Sequence, residues 1–187
     1  MKLPLLLVCV FALAASGRAQ SVQPPGQAAK TDSTSVANLT DNRKSMDDAK
    51  TLAQGNNLAA AEQTLTALNR TKPNTAAWHM ETAQRLMQTA EQLAREAHPA
   101  NVAALVASAL SHLDQADALT KDARVRAAAK TLAGFIHERY RADPAAALAS
   151  YQAAVQLAPD SKNAAEAADR MQKTVAKTNA APVPGTK

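Results

Sequence analysis

The chain has 187 residues, a formal charge of +5 and 47% hydrophobic residues, enough for one ordinary domain with a core of its own. About a quarter of the residues are alanine, aromatic residues make up 3% and Ile136 is the sole isoleucine, so the composition argues against a sheet-rich fold and for an all-α one. Lys and Arg are interspersed with Asp and Glu, with no basic block and no aromatic interleaving, which argues against nucleic acid as a partner.

Lys2 and the apolar run Leu3 to Ala15, too short to span a bilayer as a helix, read as a secretory signal over residues 1–19. Gly17 and Ala19 are the small residues expected ahead of the cleavage point. Cys9 lies inside the apolar run, so the expected mature chain has no cysteine, hence no disulfide and no thiolate nucleophile. Its predecessor, Val8, does not suit lipid attachment. Loss of Lys2 and Arg18 leaves a mature charge of about +3 on a protein expected in the periplasm or outside the cell. Residues 20–37, with Pro24, Pro25, Gly26 and a Ser/Thr cluster, are expected to be a disordered spacer. Residues 38–178 are the expected helical domain. Residues 179–187, with Pro182, Pro184 and Gly185, are the expected disordered tail.

A first helix is predicted from near Thr40 to Gln54, ended by Gly55. A second follows from Leu58 to about Asn69 and stops ahead of Pro73, with Asn74 placed to cap the next. The third, Thr75 to about Ala97, carries the stripe Ala76, Met80, Ala83, Met87, Ala90, Ala94 and Ala97, and His98 and Pro99 break it. A fourth begins near Asn101 and buries Val102, Val106, Ala109, Leu113 and Ala116, its face widened by Leu105 and Leu110. Asp122 caps a fifth that runs to Tyr140. Asp143 and Pro144 open a sixth that ends at Pro159. Asp160 or Ser161 starts a last, largely polar helix with the narrow face Ala164, Ala168, Met171 and Val175. Short connections between long helices predict three antiparallel hairpins closed by a C-terminal capping helix.

The run Asp143 to Asp160 places Ala147, Tyr151, Ala154 and Pro159 at the spacing of small residue, aromatic, alanine and closing proline. This resembles the second helix of a tetratricopeptide repeat. Gly55 to Pro73 is similar, with Gly55 at the turn and Ala60 and Ala67 at the small positions, and Trp78 stands where the following repeat's first tryptophan would. The repeats are degenerate: Ala60, Ala109 and Ala147 are 49 and 38 residues apart, against a family period of about 34. The resemblance implies a short right-handed superhelix of about three hairpins whose first helices line a groove. Carried over position by position, it implies that Asn42, Ser45, His79, Ala83, Thr131, Phe135 and Glu138 face a partner.

Chemistry is sparse. His79, His98, His112 and His137 lack a cysteine partner and the i,i+4 pairing of a helical metal site, and are expected on the surface or in the groove. Asp114 and Asp117 share a helix face that is expected to be solvated, and Met80 and Met87 are expected to be core. The glycines form no phosphate cradle, and no serine sits in a nucleophile elbow. The chain is thus expected to be a non-enzymatic, monomeric scaffold without metal or cofactor that binds a protein or peptide. The alternative is a structural envelope protein contacting lipid or cell-wall polymer.

Overall fold

The computed structural model describes residues 33–96 and 98–180, so the expected signal, residues 20–32 of the expected spacer and residues 181–187 of the tail lie outside the described residues. Seven helices and no strand occur among the described residues: α1 (Ser33–Gln54), α2 (Leu58–Ala67), α3 (Ala76–Arg95), α4 (Pro99–Ala118), α5 (Ala123–Tyr140), α6 (Pro144–Leu157) and α7 (Lys162–Ala180). The protein is all-α. None of these helices is long and apolar enough to cross a membrane.

Local chemistry sets most of the boundaries. Asn57, Thr75, Asp122 and Asp143 each accept a backbone N–H in the first turn of the helix that follows, filling donors that the helix itself leaves open. Pro144 takes the first position of α6, where its missing N–H is not needed. Four boundaries differ from those predicted. The first helix begins at Ser33, inside the segment expected as spacer, and not near Thr40. Its end is closed by Asn56, not by Gly55. Asn56 takes the left-handed conformation at φ 64°, while the N–H groups of Asn56 and Asn57 return to the carbonyls of Ala53 and Leu52 at 3.1 and 2.9 Å. Thr75 caps α3, and Asn74 instead supplies a left-handed turn at φ 57°. Asn101 does not start α4, which opens at Pro99; its side chain donates to the Ala53 carbonyl at 2.7 Å and so covers the end of α1.

Neighbours in sequence are neighbours in space. The most extensive contacts join α3 to α4, α5 to α6, α6 to α7, α1 to α2 and α4 to α5, with smaller ones between α1 and α3, α2 and α3, α2 and α4, and α3 and α5. The large, fully buried side chains Leu65, Leu86, Leu93, Leu105, Val106, Leu113 and Ile136 belong to α2 through α5 and form one core with alanines between them. A separate cluster of Ala147, Tyr151, Ala167, Ala168 and Met171 holds α7 on α6.

The face of α4 follows the predicted stripe, with Leu105, Val106, Ala109, Leu113 and Ala116 all buried. On α3 the buried face is rotated from the predicted one. Ala94 is exposed, whereas His79, Thr82, Leu86, Thr89 and Leu93 are buried beside Ala83, Met87 and Ala90. Burying Leu86 and Leu93 removes more apolar area than burying Ala76 and Ala94, so the leucines set the rotation. Thr82 and Thr89 enter the core because their hydroxyls donate to the carbonyls of Trp78 and Arg85 at 2.9 and 3.1 Å.

Candidate functional site

The rotation of α3 brings a polar cluster together where α2, α3 and α4 meet. His79 on α3 is 4% exposed and His112 on α4 is 7% exposed, and their Nδ1 atoms face each other at 2.7 Å. His112 Nε2 lies 3.1 Å from Glu62 Oε1 on α2, and the Ser108 hydroxyl donates to Glu62 Oε2. Trp78 covers the pair, its ring edge-on to both imidazoles at centroid distances of 4.9 and 5.7 Å. Burial, and then the neighbouring His112, hold His79 below the ordinary histidine value. The hydrogen bond from His112 draws the Glu62 carboxyl below its ordinary value against the opposing effect of burial, and Ser108 adds to that pull.

Two imidazoles and a carboxylate are also a metal-type donor set, but their directions do not converge. Two nitrogens bound to one tetrahedral zinc stand roughly 3.3 Å apart, farther than the 2.7 Å seen here, and Glu62 sits on the opposite edge of the His112 ring. Ser108 donates to the carboxylate and not to an imidazole, so the arrangement does not activate it as a nucleophile. The cluster binds three helices to one another through one network.

Other polar contacts act similarly between hairpins. Asn69 donates to the Trp78 carbonyl and the Thr82 hydroxyl, and Arg85 reaches Asn69 Oδ1 and the Leu68 carbonyl at 3.0 and 2.9 Å. Asp117 on α4 holds Arg126 and Lys130 of α5 at 2.6 and 2.9 Å. Burial would raise its carboxyl, and these two cations overcome that and keep it low. Asp117 is therefore a clasp between helices, not part of a solvated face. Asp114, more exposed, stands 3.9 Å from Lys130.

The residues expected to line a groove are not brought together. His79 and Ala83 are buried beneath α4 and so face no open groove, because the large side chains of α3 turn that edge inward. Asn42 and Ser45 are half-buried on α1. On α5, the Thr131 hydroxyl donates to the Ala127 carbonyl at 2.8 Å, and Phe135 packs edge-on to Tyr140. Glu138 accepts from the Tyr151 hydroxyl and from Arg170 of α7, at 2.9 and 2.8 Å, so it links α5 to α6 and α7 and does not face a partner alone. Burial, with Glu138 as acceptor, pushes the Tyr151 hydroxyl well above the ordinary tyrosine range. Glu62 and Ser108 were not anticipated, and His112, expected on the surface or in the groove, is buried between helices. One signal for His112 was its place three residues after Ala109 and four before Ala116, within the apolar stripe of α4.

An open cleft of about 630 Å³ lies elsewhere, between α4 and α5, with Ser150 of α6 at its side. Leu110, Ser111 and Gln115 come from α4, Lys130 and His137 from α5, and Arg141 from the turn just after it. No family model, curated protein or solved structure matches this chain. A functional reading therefore draws on the geometry and the expected export signal.

Proposed function

We propose that this protein is an exported, non-catalytic helical-hairpin scaffold, its hairpins arranged as a short right-handed superhelix resembling tetratricopeptide repeats, that holds a protein or peptide partner. The observation that carries the reading is the open cleft between α4 and α5, where Leu110 offers an apolar contact beside the polar groups of Ser111, Gln115, His137 and Arg141. A partner segment laid along it would meet both apolar surface and hydrogen-bonding groups, as a peptide groove requires. The side of the stack differs from the one the repeat resemblance implies, since α4 supplies most of the wall.

Photo-crosslinking groups placed at Ser111 and at Arg141 of the full chain, in cells that export it, test the reading. The expected result is one discrete adduct of the same mass from both positions, absent from a control position at Gln63, on a secreted chain beginning at Gln20. Smeared lipid or wall-polymer adducts, or none, would favour the structural alternative over the scaffold.

A further inference from the structure

We propose that His79 and His112 form an acid-responsive joint, closed near neutral pH, that fastens α2, α3 and α4 to one another and loosens as the surroundings acidify. The geometry allows few protonation states. Two Nδ1 atoms 2.7 Å apart need one N–H and one lone pair between them. With a proton on His112 Nε2 facing Glu62, either His79 donates to a neutral His112, or a cationic His112 donates to both Glu62 and His79. From the second of these states, which the first reaches by taking up one proton, a further proton leaves two N–H groups opposed and two cations with ring centroids 5.0 Å apart, in a place almost closed to water. Glu62 then balances only one of them.

Among the described residues, none offers a second counter-charge at the pair. α2 supplies Glu62, and α4 supplies Ser108 beside it. Of the other charged groups on α3, Glu81 accepts from Arg70 and Thr71, and Arg85 turns to Leu68 and Asn69. Asp114 and Asp117 of α4 face Lys130 and Arg126 of α5, and Lys50 of α1 pairs with Glu96 beyond the far end of α3.

The direction of the pH effect follows from the protons bound. Because folded His79 is held below its ordinary value of about 6.5, the unfolded chain takes up that proton first. Stability is therefore full above that value and declines as the pH falls through it toward the folded value. Glu62 is also held low, so its contribution persists at pH above its ordinary value of about 4.3 and is lost only in stronger acid. The interval from pH 7.5 to 5 thus reports on His79 and not on Glu62.

The experiment is urea unfolding of the full chain at several values across that interval, for the parent, His79→Asn and His137→Asn. Asparagine keeps a polar atom near the Nδ1 position and does not titrate. The parent should show an unfolding constant that rises on acidification, at most about tenfold per pH unit, the limit for one proton. His79→Asn should flatten the dependence and His137→Asn should retain it. Equal slopes in the parent and His79→Asn, or no slope in the parent, overturn the proposal. If His79→Asn does not fold, hydrogen exchange on the parent decides. Protection falling in α2, α3 and α4 but not in α6 and α7, after correction for intrinsic rates, supports the joint. A uniform change or none refutes it. This inference is independent of the scaffold reading, and either can fail without the other.

Discussion

Gly134 shows how one missing carbon sets a helix spacing. A Cβ there would stand 2.7, 2.8 and 3.0 Å from ring atoms of Tyr151, closer than carbon atoms pack. That ring cannot easily withdraw, because Tyr151 is 3% exposed and its hydroxyl is tied to Glu138 at 2.9 Å. Alanine gains about 1 kcal/mol over glycine in a helix interior, whereas overpacking a closed core costs about 1–3 kcal/mol. The two effects oppose each other, and the held ring makes the second larger. Gly134→Ala is expected to destabilise by about 1–2 kcal/mol, read as a lower urea midpoint at unchanged slope. Adding Tyr151→Leu should recover part of the loss. A stabilised Gly134→Ala would show that the two helices part more readily than this packing implies.

At the scale of elements, helix ends distinguish what sequence alone conveyed from what it did not. Asp122, Asp143 and Pro144 were legible because their action is local, each completing or relieving the first turn it precedes. The rotation of α3 was not, since alanines and leucines gave two overlapping stripes and only the fit against α4 selects between them. The candidate cluster was hidden for the same reason, as Glu62, His79 and His112 come from three helices and no spacing links them. The end of α5 at Tyr140 was legible, but the turn that follows it was not. Ala142 sits there at φ 50°, and the Asp143 N–H returns to the His137 carbonyl at 3.0 Å. Alanine in the left-handed region costs roughly 1–2 kcal/mol that glycine avoids, while glycine loses more freedom on folding. Ala142→Gly is therefore expected to stabilise by a net of about 0.5–1 kcal/mol, seen as a rise of a few degrees in the thermal midpoint. An unchanged or lower midpoint would mean that the turn relaxes to negative φ in solution.

Across the whole molecule, stability should be graded along the chain. The large buried side chains concentrate between Leu65 and Ile136, where α1 to α5 share one core, whereas α7 rests on α6 through alanines, Tyr151 and Met171. A stack in which each element touches mainly its neighbours can open from an end without disturbing the middle. The Glu138–Arg170 pair adds little to the terminal interface, because Arg170 is 55% exposed there and water screens it. Native-state hydrogen exchange should therefore find the slowest amides in α3 and α4 and distinctly faster ones in α7. Met171→Ala removes the largest side chain that α7 itself contributes to that cluster. Truncating a buried methionine costs about 2–5 kcal/mol in a closed core, and the lower end applies at this edge. Protection in α7 should fall by roughly 30-fold, the equivalent of about 2 kcal/mol, while the amides around Leu86 and Leu113 keep theirs. Equal loss in all seven helices would instead make the chain a single cooperative unit, in which the small terminal cluster is coupled to the main core through Gly134 and Tyr151 as strongly as the hairpins are to each other.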